Sequence, residues 1–151
     1  MKKYKFSLDS VLSYKQQILD SLQAEHGVIL MQVREKETEL ARRWTDYRAF
    51  NEEFQEKVAN GLPVTDVLVY QSTLRAMERE IQKATAQLEE LKKREEAKRA
   101  EVVEAKKESS SIEKLKERKL EAYHKEEAKS EERFIEEFVG VTRLAGNNGA
   151  E

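Results

Sequence analysis

The stretch Ala59-Asn60-Gly61-Leu62-Pro63-Val64-Thr65-Asp66 decides the fold. It holds the single proline of the chain and one of its five glycines. Gly61 can take the left-handed backbone conformation that closes a helix, with no Cβ to oppose it. Pro63 lacks the N–H that a continuing helix requires and drives Leu62 toward an extended conformation. Thr65 or Asp66 then offers a side-chain oxygen to cap a new helix. These signals together predict a stop, a reversal over 59–66 and a restart, rather than a kink in one long helix.

Outward from the turn, both flanks carry the same pattern. From Leu8 an alternating spacing of four and three runs through Leu12, Lys15, Leu19, Leu22, His26, Ile29, Val33, Lys36, Leu40, Arg43, Tyr47, Phe50 and Phe54. A spacing that averages 3.5 keeps one stripe facing a partner helix along its whole length. After the turn the pattern restarts at Val67 and continues through Tyr70, Leu74, Met77, Ile81, Ala84, Leu88, Leu91, Glu95, Lys98, Val102, Ala105, Ser109 and Ile112. At Ser109-Ser110-Ser111 the register changes. Ile112, Leu115 and Leu120 no longer fit one series, which reads as a stutter.

The predicted fold is therefore all-α: two long helices, about 7–58 and about 66–139, in an antiparallel coiled-coil hairpin spanning 1–140. Ser7 with Asp9 supplies the first helix start. The tail 141–151, with Gly146-Asn147-Asn148-Gly149, is expected to be disordered. If the helices fold back around a short loop, residue i should face roughly residue 125 − i, an estimate that follows from antiparallel pairing. Phe54 then falls by Tyr70, Tyr47 by Met77, Lys15 by Ser109 and His26 by Lys98. A hairpin of this kind is expected to be monomeric. A parallel homodimeric scaffold would have no use for Gly61 and Pro63 in mid-chain.

Composition agrees with a narrow seam rather than a wide core. Charged residues make up 38% of 151 residues. With 28 basic and 30 acidic side chains, the chain has no global pull toward nucleic acid, and glutamates interrupt every basic run without an aromatic stacking platform. Cysteine is absent, so disulfide and thiolate chemistry are excluded. The basic start Met1-Lys2-Lys3-Tyr4-Lys5 leads into no apolar run of the signal-peptide kind, and no stretch of about 20 apolar residues exists to span a membrane. A cytoplasmic protein without membrane insertion is expected.

No catalytic constellation is legible. His26 and His124 stand far apart, without a second ligand at metal spacing. There is no phosphate-cradling glycine loop. The expectation is a non-enzyme with no cofactor and no metal. The informative polar feature is uneven charge. Lys106 to Lys119 carries six basic residues against three acidic ones, and Lys2, Lys3, Lys5 and Lys15 would lie beside it. Glu121 to Glu137 carries seven acids against Lys125, Lys129 and Arg133. The end opposite the turn is thus basic, and the overhang beyond it acidic. Lys2, Lys3, Lys5, Lys114, Lys116, Arg118, Lys119 and Tyr123 form the candidate binding set there.

Several segments, in order and spacing, resemble the FliJ family, which is related to the YscO-type proteins of virulence secretion systems. They are Phe6-Ser7-Leu8-Asp9-Ser10-Val11-Leu12-Ser13-Tyr14-Lys15, Asp46-Tyr47-Arg48, Asn60-Gly61, Tyr70-Gln71, Glu113-Lys114-Leu115, Tyr123 and Glu136-Glu137-Phe138. The resemblance implies a component of the flagellar type III protein export apparatus, serving flagellum biogenesis and motility. It would lie in the cytoplasm, peripherally at the inner face of the cell membrane. Implied partners are the hexameric export ATPase, which the open end would enter and stimulate, the cytoplasmic region of the export gate protein FlhA, and export chaperones. The family's gate-binding patches fall here on Lys36, Leu40, Arg43 and Tyr47 and on Thr73, Met77, Glu80 and Ala84. Leu40, Tyr47 and Met77 keep an apolar or aromatic character. The alternative from the residues alone is a generic cytoplasmic coiled-coil scaffold or adaptor.

Overall fold

Two helices account for nearly all of the computed structural model, which describes residues 3–148 and side chains of 3–146. α1 spans Asp9–Ala59 and α2 spans Val64–Asn148. They pack against each other as a helical hairpin, and the described residues contain no strand. The chain divides into two compact units, 20–104 and the pair of segments 1–19 with 105–151.

The unit 20–104 contains the turn. Gly61 has φ of 90°, and its N–H donates to the Val58 carbonyl while Asn60 N–H donates to Glu56. α2 then starts earlier than the sequence suggests. The Pro63 carbonyl accepts from Asp66 N–H and Val67 N–H, both at 3.0 Å, so Pro63 heads the helix in place of Thr65 or Asp66. Its missing N–H costs nothing there, because the first N–H groups of a helix have no partner anyway. Asp66 still contributes an acid to the first turn.

Within this unit the stripe predicted from spacing is the interface. Leu74, Ile81, Ala84 and Leu88 of α2 and Val33 of α1 are buried, and Leu40, Tyr47 and Phe54 of α1 are half-buried. Tyr47 donates to Glu78 at 2.7 Å, on the 125 − i relation. Phe54 stacks on Tyr70 at 5.3 Å as expected, and Phe50 stacks on the same ring at 5.1 Å. One pairing differs. His26 lies against Glu95, at 3.0 Å, and Lys98 instead reaches Glu25 at 2.9 Å. Each donor thereby meets a carboxylate rather than another donor. Because a carboxylate only accepts, His26 Nε2 carries the proton in this contact.

In the other unit, Leu12, Ala105 and Ser109 are buried along the same stripe. Lys15 pairs with Glu108 at 2.8 Å, one residue from the predicted Ser109, and Lys116 pairs with Asp9 at 2.9 Å. The stutter is visible in burial: Ile112, Leu115, Lys116, Leu120, Tyr123 and Glu127 are the half-buried positions after Ser110. α1 begins at Asp9 rather than Ser7, since the Asp9 N–H is taken by the Phe6 carbonyl. Phe6 is 7% exposed although it precedes the helix. The segment 3–8 thereby meets α2 past residue 117, where pairing of the helices alone would end.

α2 also runs past Gly140, its expected end near 139, to Asn148. A glycine within a helix costs about 1 kcal/mol, which does not stop propagation from a nucleus already fixed by packing. Of the tail expected to be disordered, 141–148 is helical and 149–151 lies outside the described residues.

Candidate interaction surfaces

The N-terminal segment brings the basic candidates together. Tyr4, between Lys3 and Lys5, packs its ring 5.2 Å from that of Tyr123. The Asp9–Lys116 pair holds the same strand of chain along α2, and the Asp9 hydrogen bond raises the Lys116 ammonium above its usual range. Lys3 and Lys5 thus stand at the level of the Lys114–Tyr123 segment, both exposed. Lys114, Arg118 and Lys119 are exposed and make no ion pair among the described residues. Their charges are available to an external group, whereas Lys116 is already neutralised by Asp9. Lys2 lies outside the described residues.

The second candidate set sits on the turn-side unit. Leu40, Tyr47 and Met77 are half-buried seam residues, so each offers only an edge to solvent. Tyr47 is further tied to Glu78, whose carboxylate accepts its hydroxyl and pushes its ionisation upward. Beside Tyr47, Trp44 is 41% exposed and meets its ring edge-on at 5.9 Å. Spacing arguments pass over Trp44 because it stands off the stripe. Its signal is that the one tryptophan of the chain lies three residues before a seam tyrosine, hence on the neighbouring surface.

Tyr4 and Phe6 are likewise invisible to helical periodicity, since they precede α1. The Tyr4 hydroxyl is enclosed and has no hydrogen-bond partner among the described residues. In the unit 20–104, Glu95 is 8% exposed and gathers Arg99 and His26. Arg99 Nη2 donates to both carboxylate oxygens, at 2.6 and 2.9 Å, and Nε donates at 3.1 Å; with His26 they hold the carboxyl down at about 2. This cluster is a paired rung of the seam. Among the described residues no group of His, Cys, Asp or Glu could hold a metal ion. Nor is any helix of the described residues long and apolar enough to cross a membrane.

Both surfaces are therefore suited to macromolecular contact: exposed cations at the open end, and an aromatic pair toward the turn. No curated protein and no solved structure matches the chain. The family model described as "Flagellar FliJ protein" matches residues 4–147, which takes in the N-terminal segment, both helices and the turn. The chain thus belongs to the FliJ family and is a component of the flagellar export apparatus.

Proposed function

We propose that this protein is a non-enzymatic coupling component whose open end enters the hexameric export ATPase and raises its turnover. The observation that carries this reading is the cluster of Lys3, Lys5, Lys114, Arg118 and Lys119, which the Tyr4–Tyr123 contact assembles at one end. Two paired helices, each ~10–12 Å across with side chains, are narrow enough to enter a ring. Exposed, unneutralised lysines and arginines are drawn to acidic pore loops, and such attraction speeds encounter and weakens with salt. In this reading Leu40, Tyr47 and Met77, joined by Trp44, meet the cytoplasmic region of the export gate protein FlhA. Escort of export chaperones and residence in the cytoplasm at the inner face of the cell membrane belong to the same reading, supported by family membership.

The test is ATPase turnover with and without this protein. Lys114→Glu, Arg118→Glu and Lys119→Glu in one chain should abolish stimulation while far-UV circular dichroism stays helical. Lys116 is spared because it holds Asp9. Stimulation that survives this triple change, or that is lost only with changes at Trp44 and Tyr47, would place the ATPase contact at the other end.

A further inference from the structure

Beyond Glu127 every described side chain of α2 is exposed, from Ala128 through Gly146. This stretch is not uniformly polar. Counting on from the half-buried Leu120, Tyr123 and Glu127 in steps of three and four reaches Ser130, Phe134, Phe138 and Val141. Phe134 is 69% exposed, Phe138 65% and Val141 65%. They continue, on the same face of the same helix, the half-buried stripe that ends at Glu127. Among the described residues nothing covers this continuation.

The flanks of the stripe are acidic. At 100° per residue, Glu131 lies on one side of the Phe134–Phe138 line and Glu126 and Glu137 on the other. None of the three makes an ion pair among the described residues. Lys125 and Lys129 lie on the far side of the helix, Lys125 paired with Glu121 at 3.5 Å, and Arg133 stands just beyond Glu126. A second copy of this segment would set acid against acid on both flanks, which disfavours self-pairing. A basic-flanked helix would meet complementary charge at each rung.

We propose that the Phe134–Phe138–Val141 face is the open half of a two-helix seam, and that it takes an amphipathic helix of a partner protein with lysine or arginine on both flanks. Its contacts are of the helix-in-groove kind, apolar anchors at i, i+4 and i+7 with flanking charge setting selectivity. Such binding is separate from the cationic cluster at Lys114–Lys119 and does not require the ATPase reading to hold.

The probe is a fluorescein-labelled synthetic peptide of four heptads, with leucine at the two seam positions and lysine on both flanks. Its twin carries glutamate on the flanks. Fluorescence anisotropy is measured against the full chain. The lysine peptide should bind about tenfold or more tighter than its twin, a difference of about 1.4 kcal/mol, and should weaken as salt rises. Phe134→Ala with Phe138→Ala should weaken it about tenfold more, and Glu131→Lys with Glu137→Lys should reverse the preference between the peptides. The assignment is overturned if the two peptides bind alike, or if the double alanine variant binds the lysine peptide as the parent does. It is equally overturned if sedimentation shows a dimer that the double alanine variant dissolves, since a second copy would then fill the face.

Discussion

Phe54→Ala tests the pairing of the helices near the turn. Phe54 is half-buried and stacks on Tyr70 at 5.3 Å. Truncation of a buried phenylalanine costs about 3–5 kcal/mol, so a half-buried one belongs near about 3 kcal/mol, and the ring pair supplies about 0.5–1.5 kcal/mol of that. Phe134→Ala is the internal control. Its ring is 69% exposed. With about 200 Å² per ring at about 25 cal/mol per Å², the covered third is worth about 1.5 kcal/mol. The better helix propensity of alanine returns about 0.5 kcal/mol, leaving about 1 kcal/mol. In a chain of this size each kcal/mol moves the melting temperature by about 2–4 °C, so the expected shifts are about 6–12 °C against about 2–4 °C. Circular dichroism melts at 222 nm measure both, and urea midpoints with an unchanged slope confirm that stability moved rather than the unfolded state. A double-mutant cycle with Tyr70→Ala should return a coupling of about 0.5–1.5 kcal/mol. Equal shifts for the two single variants, or no coupling in the cycle, would refute the packing described here.

Gly61 sits at φ of 90°, so Gly61→Ala should cost about 1–2 kcal/mol, read from urea midpoints; no loss would mean that the turn relaxes to a right-handed conformation. Glu95 ionises near 2 in the folded chain against an ordinary 4.5, so its stabilising contribution is present above 4.5 and is lost as pH falls toward 2. Glu95→Gln should therefore flatten the fall in urea midpoint between about pH 5 and pH 2, and an unchanged slope would assign acid sensitivity to other carboxylates. Tyr4→Phe should leave stability unchanged or slightly higher in a thermal melt, because the hydroxyl it removes is enclosed without a partner among the described residues; a clear loss would reveal a bond that the hydroxyl makes.

The seam was readable because many residues carry one period. Every position named from Leu8 to Phe54 and from Val67 to Ile112 is buried or half-buried. The reversal was readable from Gly61 and Pro63, whose backbone limits act locally. Cross-seam polar partners were less so: His26 chose Glu95 over Lys98 because the match of donor to carboxylate, not spacing, decides a rung. The far end of α2 was missed because one glycine at 140 signals a stop only where no upstream packing sustains the helix. Tyr4, Phe6 and Trp44 lie off the periodic stripe, so pattern alone gave them no role. The candidate sets of lysines and of Leu40, Tyr47 and Met77 depend on surfaces of other proteins, which intramolecular periodicity does not encode.

The rung at His26 and Glu95 also opposes sliding. A coiled coil of leucines alone can shift by one heptad and recover nearly the same contacts. Here such a shift toward the turn would carry the Glu95 carboxylate from His26 to Val33, which is 9% exposed and offers no donor. The carboxylate would keep Arg99 from its own helix but lose its partner across the seam, so the shifted register is penalised by charge burial. A pull on α1 between residues 20 and 59 is consequently passed to the paired part of α2 in fixed register, instead of being dissipated by slippage from one heptad to the next.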